Sequence, residues 1–513
     1  MRNIIYFMSK TILLTLVTGF YSLNQNNLTA SAKPRLEIPP YPANLDLSFV
    51  EKLYKSNAYK VEVRQQGKGK FIPCFVFETK NDWVLRDFFT TDKTKDPMRV
   101  ILNADEFGGG KGNIRTASFT QFSFDDIKVE VRVSLTGNIT AQNVTIRPLR
   151  HNITGKISAD GKTISFTLPR PLKISLEIND RLNPLFFFTD APDVPDTKAT
   201  YYYGPGIYRF PGEGTLTLQS GQSVYIAAGA IVEGRFRLAD GSDNISIRGR
   251  GILSNGEWPH NSTKSSFLVP HSTFFSNGTS HLIIEGLTLV QGSGWTIAIS
   301  DSKRKLTHDN LYKNIKMVQF AGNTDGIWIT GDRNRVDDCF IFNNDDAIVS
   351  HGGDSTVVSN LVFWGNVWGR FFLMYNANGR SVTNLLVENV DVIGKGGGPQ
   401  LFKLERKGGP AELKNITFRN FNFEDRHKVD DYNREQFITY ESDAADWRIE
   451  NLNFENFTFS QQLDEEGFIY GSEKFPINGI SFKNLIMGGK KILSAEESHI
   501  KFNEFVTDLK FLP

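Results

Sequence analysis

The stretch NTDGIWITGDRNRVDDCFIFNNDDAI, from Asn323 to Ile348, contains a complete copy of a short unit, NRVDDCFI, that recurs along the chain. The unit alternates apolar and variable residues, breaks, typically at Asn or Gly, and then alternates again. The starts of successive copies lie between 22 residues (334 to 356) and 37 residues (245 to 282) apart. The copies begin at Ile245, Leu282, Asn310, Asn334, Thr356, Leu385, Ile416, Leu452 and Ile480.

A repeat of this size with a strand in each copy is typical of a solenoid. Leucine-rich repeats require fixed leucines that are absent here, and propeller blades are longer and need several antiparallel strands. A right-handed parallel β-helix fits best, with coils stacked about 4.8 Å apart. We predict this fold for residues 196–513, with Ser220–Gly234 as the coil that caps its start, and we expect the recurring Asn to satisfy backbone groups at a bend.

Residues 33–195 have a different rhythm, and we predict an all-β sandwich there. Short segments alternate apolar and polar residues and are separated by turn clusters, which is typical of a sandwich. The proline-rich and acidic stretch Thr189–Lys198 predicts a linker. The clearest strand segments are Thr120–Leu135, Val144–Leu149, Thr163–Pro169 and Leu172–Ile178.

The first 32 residues have the pattern of a signal peptide. MRNIIYFMSK carries the positive charges, TILLTLVTGFYSL is apolar, and Ala30-Ser31-Ala32 resembles a cleavage site. An apolar stretch of about 13 residues is short of the roughly 20 that a spanning helix needs. We predict a secreted or periplasmic protein with no membrane association after signal cleavage.

Charge and cysteine content exclude several classes of partner. The 58 basic and 57 acidic residues give a net charge of +1, so we expect neither nucleic acid nor an anionic membrane as a partner. Cys74 and Cys339 cannot build a disulfide framework or a structural zinc site, and we expect both to be buried. Solenoids are often monomeric, and we expect a monomer.

Two coils within the opening stretch can be aligned by their residues. TDGIWI (Thr324–Ile329) lies against DDAIVS (Asp345–Ser350), which matches Asp325 with Asp346 at an offset of 21 residues (346 minus 325). Asp325 and Asp346 are therefore predicted neighbours on one sheet, with Asp345 beside them. Because strict alternation would point Asp345 and Asp346 to opposite faces, a bend must precede the strand if both act together.

Crowded carboxylates cannot all ionise cheaply, so at least one tends to hold a proton near neutral pH. A protonated carboxyl beside an ionised one is what hydrolysis of a glycosidic bond requires. Two alternatives remain open. Asn-Thr-Asp-Gly and Asn-Asn-Asp-Asp are also good turn sequences, and clustered carboxylates also bind calcium, as in β-helix pectate lyases.

These motifs resemble those of two families. Asn-Thr-Asp-Gly followed by Asp-Asp one coil later is shared by the polygalacturonases of glycoside hydrolase family 28 and by glycoside hydrolase family 49, the dextranases and isopullulanases. Family 49 is favoured by its plan of a sandwich followed by a β-helix, by Asn-Asp-Asp-Ala-Ile (Asn344–Ile348), and by Gly396–Asn420. The resemblance covers most of the chain after the signal peptide and is strongest over Asn323–Ile348.

The polygalacturonase pattern departs sooner than that of family 49. It expects Gly-His-Gly one coil after the paired aspartates, where this chain has VWGRFFLMY (Val367–Tyr375). It also expects Arg-x-Lys to bind a uronate carboxylate, and Lys403 and Arg406 do not have that spacing. Family 49 tends to have a Lys after Asp-Asp-Ala-Ile, where this chain has Val349.

The resemblance implies an endo-acting hydrolase of an α-linked polysaccharide, with a dextran- or pullulan-like glucan as the default substrate. It implies that Asp345 is the general acid, that Asp325 and Asp346 hold and deprotonate water, that the anomeric carbon is inverted, and that no cofactor or metal takes part. The alternatives are a polygalacturonase-like hydrolase of a uronate polymer, a calcium-dependent lyase, and a non-catalytic β-helix that binds carbohydrate.

Aromatic and polar residues near the aspartates are candidates for substrate binding. Trp295 and Trp328 lead, because Gly294–Ile299 aligns with Gly326–Gly331 one coil later and sugars stack on aromatic faces. Most single tryptophans in such a fold serve packing instead. The full set of predicted substrate-binding residues is Trp295, Trp328, Asn323, His351, Arg370, Tyr375, Gln400 and Lys403.

Overall fold

The structure is a computed structural model. The predicted signal peptide, residues 1–32, lies outside the residues that it describes. Within the described residues, no helix combines the length and the apolar character needed to cross a membrane. The described ranges are 35–41, 45–50, 52–80, 114, 116–212, 214–255, 272–302, 305–366, 369–376, 379–395, 400–406, 410–424, 436–441, 447–463 and 465–513.

The N-terminal part is a β-sandwich, as predicted. Its alternating sequences bury one face of each strand, such as Val129, Val131 and Val133. A short 3-10 helix spans Leu47–Phe49 and another spans Leu149–His151. The strands are β1 (Arg35–Glu37), β2 (Leu53–Lys55), β3 (Tyr59–Gln65), β4 (Ile72–Cys74), β5 (Val76–Lys80), β6 (Thr116–Asp125), β7 (Val129–Leu135), β8 (Val144–Arg147), β9 (Lys156–Ile157), β10 (Thr163–Leu168), β11 (Lys173–Ile178) and β12 (Asp180–Asp190).

Two sheets form the sandwich. The larger has the order β2-β5-β6-β12-β11-β8, with β1 also paired to β6, and the smaller has the order β4-β3-β7-β10-β9. Every pairing is antiparallel except that of β12 with β6. Cys74 and Cys339 are both buried, as expected, and neither forms a disulfide.

From Tyr201 onward the chain forms a right-handed parallel β-helix, as predicted. A short α-helix at Ala495–Ser498 interrupts its last coil. The strands are β13 (Tyr201–Tyr203), β14 (Gly206–Arg209), β15 (Thr215–Leu218), β16 (Ser223–Ile226), β17 (Ala230–Glu233), β18 (Arg235–Leu238), β19 (Asp243–Gly249), β20 (Ile252–Ser254), β21 (Phe274–Asn277), β22 (Ser280–Glu285), β23 (Thr288–Val290), β24 (Ile297–Ser300), β25 (Leu311–Lys313), β26 (Lys316–Val318), β27 (Ile327–Ile329), β28 (Arg335–Asp337), β29 (Phe340–Asn343), β30 (Ile348–Ser350), β31 (Gly353–Asp354), β32 (Val357–Gly365), β33 (Phe372–Asn376), β34 (Val382–Thr383), β35 (Leu386–Lys395), β36 (Gln400–Arg406), β37 (Ala411–Phe423), β38 (Gln436–Glu441), β39 (Trp447–Phe459), β40 (Gly467–Tyr470), β41 (Ile477–Met487), β42 (Lys490–Ile492), β43 (Ile500–Phe502) and β44 (Val506–Leu512).

Stacked coils produce one sheet of 21 strands and one of 11 strands. The 11-stranded sheet has the order β15-β18-β21-β24-β27-β30-β33-β36-β38-β40-β43. The predicted capping coil is wrong by one coil: Ser220–Gly234 holds β16 and β17, and the coil β13-β14-β15 precedes it. The first coil was missed because β13 and β14 are rich in tyrosine and half-exposed, so they do not resemble the recurring apolar unit.

The recurring Asn residues form a ladder along the helix axis. Asn389, Asn420 and Asn456 each adopt a left-handed backbone, with φ between 57° and 59°. The amide of Asn420 donates to Asn389 at 2.9 Å, and that of Asn456 donates to Asn420 at 2.9 Å. We expected these side chains to satisfy backbone groups, but they bond to one another, because equivalent bends stack directly above each other.

Stacked phenylalanines fill the later coils. Phe418, Phe454 and Phe482 occupy equivalent positions on successive coils. Their rings lie 5.4 Å and 5.0 Å apart and are nearly parallel, at 13° and 7°. Identical side chains in register therefore bury one another's faces and fix the spacing of the coils.

The sandwich packs against the 21-stranded sheet of the β-helix. Phe186 on β12 contacts Phe340 and Phe342 on β29, with ring centroids 4.9 Å and 5.4 Å apart. A buried ion pair joins Lys316 to Asp190 at 2.9 Å across the same junction. Phe340 and Phe342 lie on β29, a strand of the 21-stranded sheet. Among the described residues, the apolar cluster at this junction contains no residue of the 11-stranded sheet.

Candidate active site

The three aspartates lie at one corner of the β-helix, where the chain enters the 11-stranded sheet. Asp325 stands two residues before β27, and Asp346 stands two residues before β30. Ile327 pairs with Ile348 in parallel register, which is the alignment predicted from the sequence. The Gly326 N–H donates to the Asp346 carbonyl at 2.8 Å, so Asp325 and Asp346 occupy equivalent positions on adjacent coils.

A bend of the predicted kind separates β29 from β30. The Asn343 side chain fastens it, because its amide donates to the carbonyls of Thr324 and Asp346, both at 3.2 Å. The Asp346 N–H donates to Oδ1 of Asp345 at 2.9 Å. These bonds interrupt the strict alternation of side chains, so Asp345 and Asp346 lie close enough to influence each other's ionisation.

All three carboxyl groups are nearly inaccessible to solvent, with 8% exposure for Asp325, 9% for Asp345 and 3% for Asp346. Burial is the main cause that raises their pKa values, and the negative charge of Asp346 adds to it for the other two. The pKa of Asp345 rises to about 7, and that of Asp325 rises well above its ordinary value. The site therefore retains protons near neutral pH.

Two basic residues offset this effect at Asp346, and one of them, Arg370, also lowers the pKa of Asp345. The Arg370 N–H donates to Oδ1 of Asp346 at 2.7 Å, and its Nη1 lies 3.2 Å and 3.1 Å from the two carboxylate oxygens. The buried Lys395, at the end of β35, also lowers the pKa of Asp346. Lys395 was not predicted from the sequence, where it is recognisable only as a lysine at the end of an apolar strand.

Neutral donors complete the contacts of the other two aspartates. Asn323, in a left-handed conformation at φ +53°, directs Nδ2 toward Oδ2 of Asp345 at 3.4 Å. The Trp328 indole N–H donates to Oδ2 of Asp325 at 3.3 Å. Together with Arg370, three of the predicted substrate-binding residues thus contact the carboxylates themselves.

An aromatic column leads away from the trio along the 11-stranded sheet. The rings of Trp295 and Trp328 lie 4.0 Å apart, and those of Trp328 and His351 lie 4.3 Å apart. Tyr375 continues the column, 5.4 Å from His351. Four predicted substrate-binding residues therefore form one continuous surface on neighbouring coils.

The alignment that selected Trp295 is wrong by two residues. The alignment places Trp295 opposite Ile327, whereas the residue that pairs with Ile327 is Ile297. Trp295 therefore occupies the position of Asp325 one coil earlier, in the corner before β24. The shared Gly-x-apolar pattern misled the alignment, and the two tryptophans meet diagonally instead.

His351 is buried and uncharged at neutral pH. Loss of solvation lowers its pKa to about 4, and its Nε2 has no hydrogen-bond partner among the described residues. Its ring is therefore neutral and is largely covered by its neighbours in the column. Gln400 and Lys403 lie on β36, two strands beyond β30, where Lys403 pairs with Glu405 at 3.1 Å and Gln400 contacts Gln436 at 3.5 Å.

Two further tryptophans of the β-helix, Trp364 and Trp447, do not extend the column. Trp364 is fully buried at the junction with the sandwich, beside Phe186, and Trp447 is fully buried in the packing of the coils. Trp258 and Trp368 lie outside the described residues. Packing, the more common role, therefore holds for Trp364 and Trp447.

The aspartate trio does not form a compact set of metal ligands. Among the described residues, the group that brings three possible ligand atoms within 4.8 Å of one another is His281, His308 and Asp309. These lie at a different bend, where Arg333 already binds Asp309 at 2.9 Å and 2.7 Å.

Comparison with known proteins identifies the fold. No family model matches the chain. Proteins named "Probable rhamnogalacturonase E" from Aspergillus oryzae and Aspergillus flavus are each 25% identical over 218 residues, 42% of this chain. The chain thus spans 44% and 42% of the length of these curated relatives.

A solved structure, Dex49A from Penicillium minioluteum, matches the chain almost end to end. The TM-score is 0.66 at 16% identity, over 93% of this chain and 96% of that one. The resemblance predicted from the motifs is thereby confirmed at the level of the fold: this chain has the parallel β-helix architecture of Dex49A.

Proposed function

We propose that this chain is an exported, inverting glycoside hydrolase that cleaves internal α-glycosidic bonds of a neutral polysaccharide, with a dextran- or pullulan-like glucan as the first candidate. The observation that carries the proposal is the buried trio Asp325, Asp345 and Asp346 at one corner of the helix. Buried carboxyls with raised pKa values are what acid–base hydrolysis of glycosides needs.

In the proposed reaction Asp345 gives its proton to the glycosidic oxygen as the bond to the anomeric carbon breaks. A water molecule held by Asp325 and Asp346 attacks that carbon from the opposite face and gives its proton to Asp346. The anomeric carbon gains one oxygen and loses another, so the configuration inverts. The pKa of Asp345, raised to about 7, supports its role as the acid.

A neutral substrate is favoured by the pairing of the basic residues near the trio. Arg370 is engaged by Asp346 and Lys403 by Glu405. His351 is uncharged and adds no positive charge to the site. A uronate needs an available cation, so a uronate polymer is the second candidate, favoured by the names of the curated relatives.

Reducing-end release from dextran, pullulan, polygalacturonate and rhamnogalacturonan tests the proposal. We expect turnover of one neutral α-glucan. Proton NMR should show that the anomer released first has the configuration opposite to that of the cleaved bond. Turnover of an acidic polymer alone would transfer the assignment to the second candidate. Retention of configuration would contradict the water-activating role of Asp325 and Asp346.

A further inference from the structure

We infer that Arg370 is a positioning residue that acts through Asp346: it holds this carboxylate in its ionised form, so that Asp346 takes the proton from water and Asp345 keeps the proton for the leaving group. The inference rests on the proposed function and deepens it. It also replaces the expectation that Arg370 binds sugar hydroxyls.

The contacts of Arg370 are concentrated on one partner. Its backbone N–H and its Nη1 both reach Asp346, and Nη1 lies within 3.2 Å of both carboxylate oxygens. The two side chains are 16% and 4% exposed, so solvent screens the pair weakly. A bidentate, charge-assisted contact of this kind favours the ionised carboxylate over the protonated one.

The hydrogen bonds described here to the two neighbouring aspartates come from neutral donors. Asp345 accepts from the Asp346 N–H and from the Asn323 amide, both neutral donors. Asp325 accepts from the Trp328 indole, which is also neutral. Arg370 lowers the pKa of Asp345 through its charge alone, whereas at Asp346 it adds backbone and side-chain hydrogen bonds to that charge, so it favours ionisation of Asp346 over that of Asp345.

The residue before Arg370 fixes its approach. Gly369 has φ +97°, and a Cβ there would lie 2.1 Å from the backbone carbon of Asp345. Only glycine lets this coil pass so close to the corner that carries the aspartates. Gly369 and Arg370 together therefore set the distance between the guanidinium and Asp346.

The charged groups that face Asp346 come from each neighbouring element. Asp345 precedes it in the chain, Asp325 lies on the preceding coil, Arg370 lies on the following coil, and Lys395 lies at the end of β35. Lys395 contributes a second positive charge, but Arg370 is the larger influence that lowers the pKa of Asp346. Removing Arg370 alone should therefore change the titration of Asp346.

The test compares Arg370→Gln and Arg370→Lys with wild type on the polymer that wild type hydrolyses. For Arg370→Gln we expect kcat to fall and KM to stay within about threefold of the wild-type value. The acidic limb of the pH profile of kcat should move up by about one to three pH units. Arg370→Lys should recover part of kcat and of the shift. Arg380→Gln is the matched control, since Arg380 is 19% exposed and paired with Asp301 and Asp332, away from the trio.

A second measurement separates this inference from the proposed function. Titration of carbon-13 labelled aspartate by NMR, with Asp346 assigned from Asp346→Asn, reports the protonation of Asp346 without any substrate. We expect its midpoint to rise in Arg370→Gln. An unmoved midpoint, or a tenfold rise in KM with an unmoved pH profile, would overturn the inference, whereas wild type without turnover but with the expected midpoints would overturn only the proposed function.

Discussion

The backbone N–H of Asp346 donates a 2.9 Å hydrogen bond to Oδ1 of its neighbour Asp345. This contact turns the side chain of Asp345 back over the corner between β29 and β30. Adjacent residues in a regular strand would face opposite sides of the sheet. The bend therefore lets two consecutive aspartates share one buried site with Asp325, and several measurable properties depend on it.

Asp345→Asn should change how stability depends on pH. Burial raises the pKa of Asp345 to about 7 in the folded state, compared with about 3.9 in an unfolded chain. The folded state therefore holds the extra proton between these values, and wild type loses stability as the pH rises through that window. In thermal unfolding, Asp345→Asn should exceed wild type at pH 8 and match it at pH 4. The exposed Asp508→Asn serves as the control, and an equal effect of both substitutions at pH 8 would contradict the assignment.

Gly369→Ala should destabilise the fold because its Cβ has no room. It would lie 2.1 Å from the backbone carbon of Asp345, whereas Gly221 has a similar positive φ, +77°, and nothing within 4 Å. Gly221→Ala therefore measures the backbone strain alone, which is about 1–3 kcal/mol. Urea unfolding should show a clearly larger loss for Gly369→Ala, with loss of activity. Equal losses would mean that the close approach to Asp345 does not matter.

The asparagine ladder can be tested at Asn420. Its amide donates to Asn389 and its carbonyl accepts from Asn456, both at 2.9 Å. Asn420→Gly removes these bonds and should cost about 1–3 kcal/mol in the free energy of unfolding. Asn420→Ala adds the strain of φ +59° for a residue with a Cβ, about 1–2 kcal/mol more. A ladder with no energetic role would leave Asn420→Gly as stable as wild type.

Trp295→Ala should weaken substrate binding without removing a carboxylate contact. Trp295 packs against Trp328, with ring centroids 4.0 Å apart, and makes no hydrogen bond to the trio in the described structure. A contact with an aromatic face contributes about 0.5–1.5 kcal/mol, so we expect KM to rise about fivefold and kcat to change little. Trp295→Phe keeps an aromatic face and should restore most of KM. A fall in kcat with an unchanged KM would show that Trp295 supports the fold of the corner and not the substrate.

Periodicity was sufficient to predict the two folds and the register of Ile327 with Ile348, because stacked coils must place equivalent apolar residues inside. The pattern alone could not give the register of Trp295. Six residues form the corner between β23 and β24, and nothing in their sequence marks where β24 begins. The role of Arg370 also depends on side-chain geometry between coils, which has no signature in a single sequence. Lys395 was missed for the same reason.

The central claim is that Asp345 acts as the general acid of a glycoside hydrolase. The most direct measurement is reducing-end release by wild type, Asp345→Asn and Asp508→Asn on the polymer that wild type hydrolyses, with and without EDTA. We expect Asp345→Asn to lower kcat by about 10²–10⁴ while it folds as well as wild type, and Asp508→Asn and EDTA to have no effect. Full activity of folded Asp345→Asn would show that Asp345 is not the general acid.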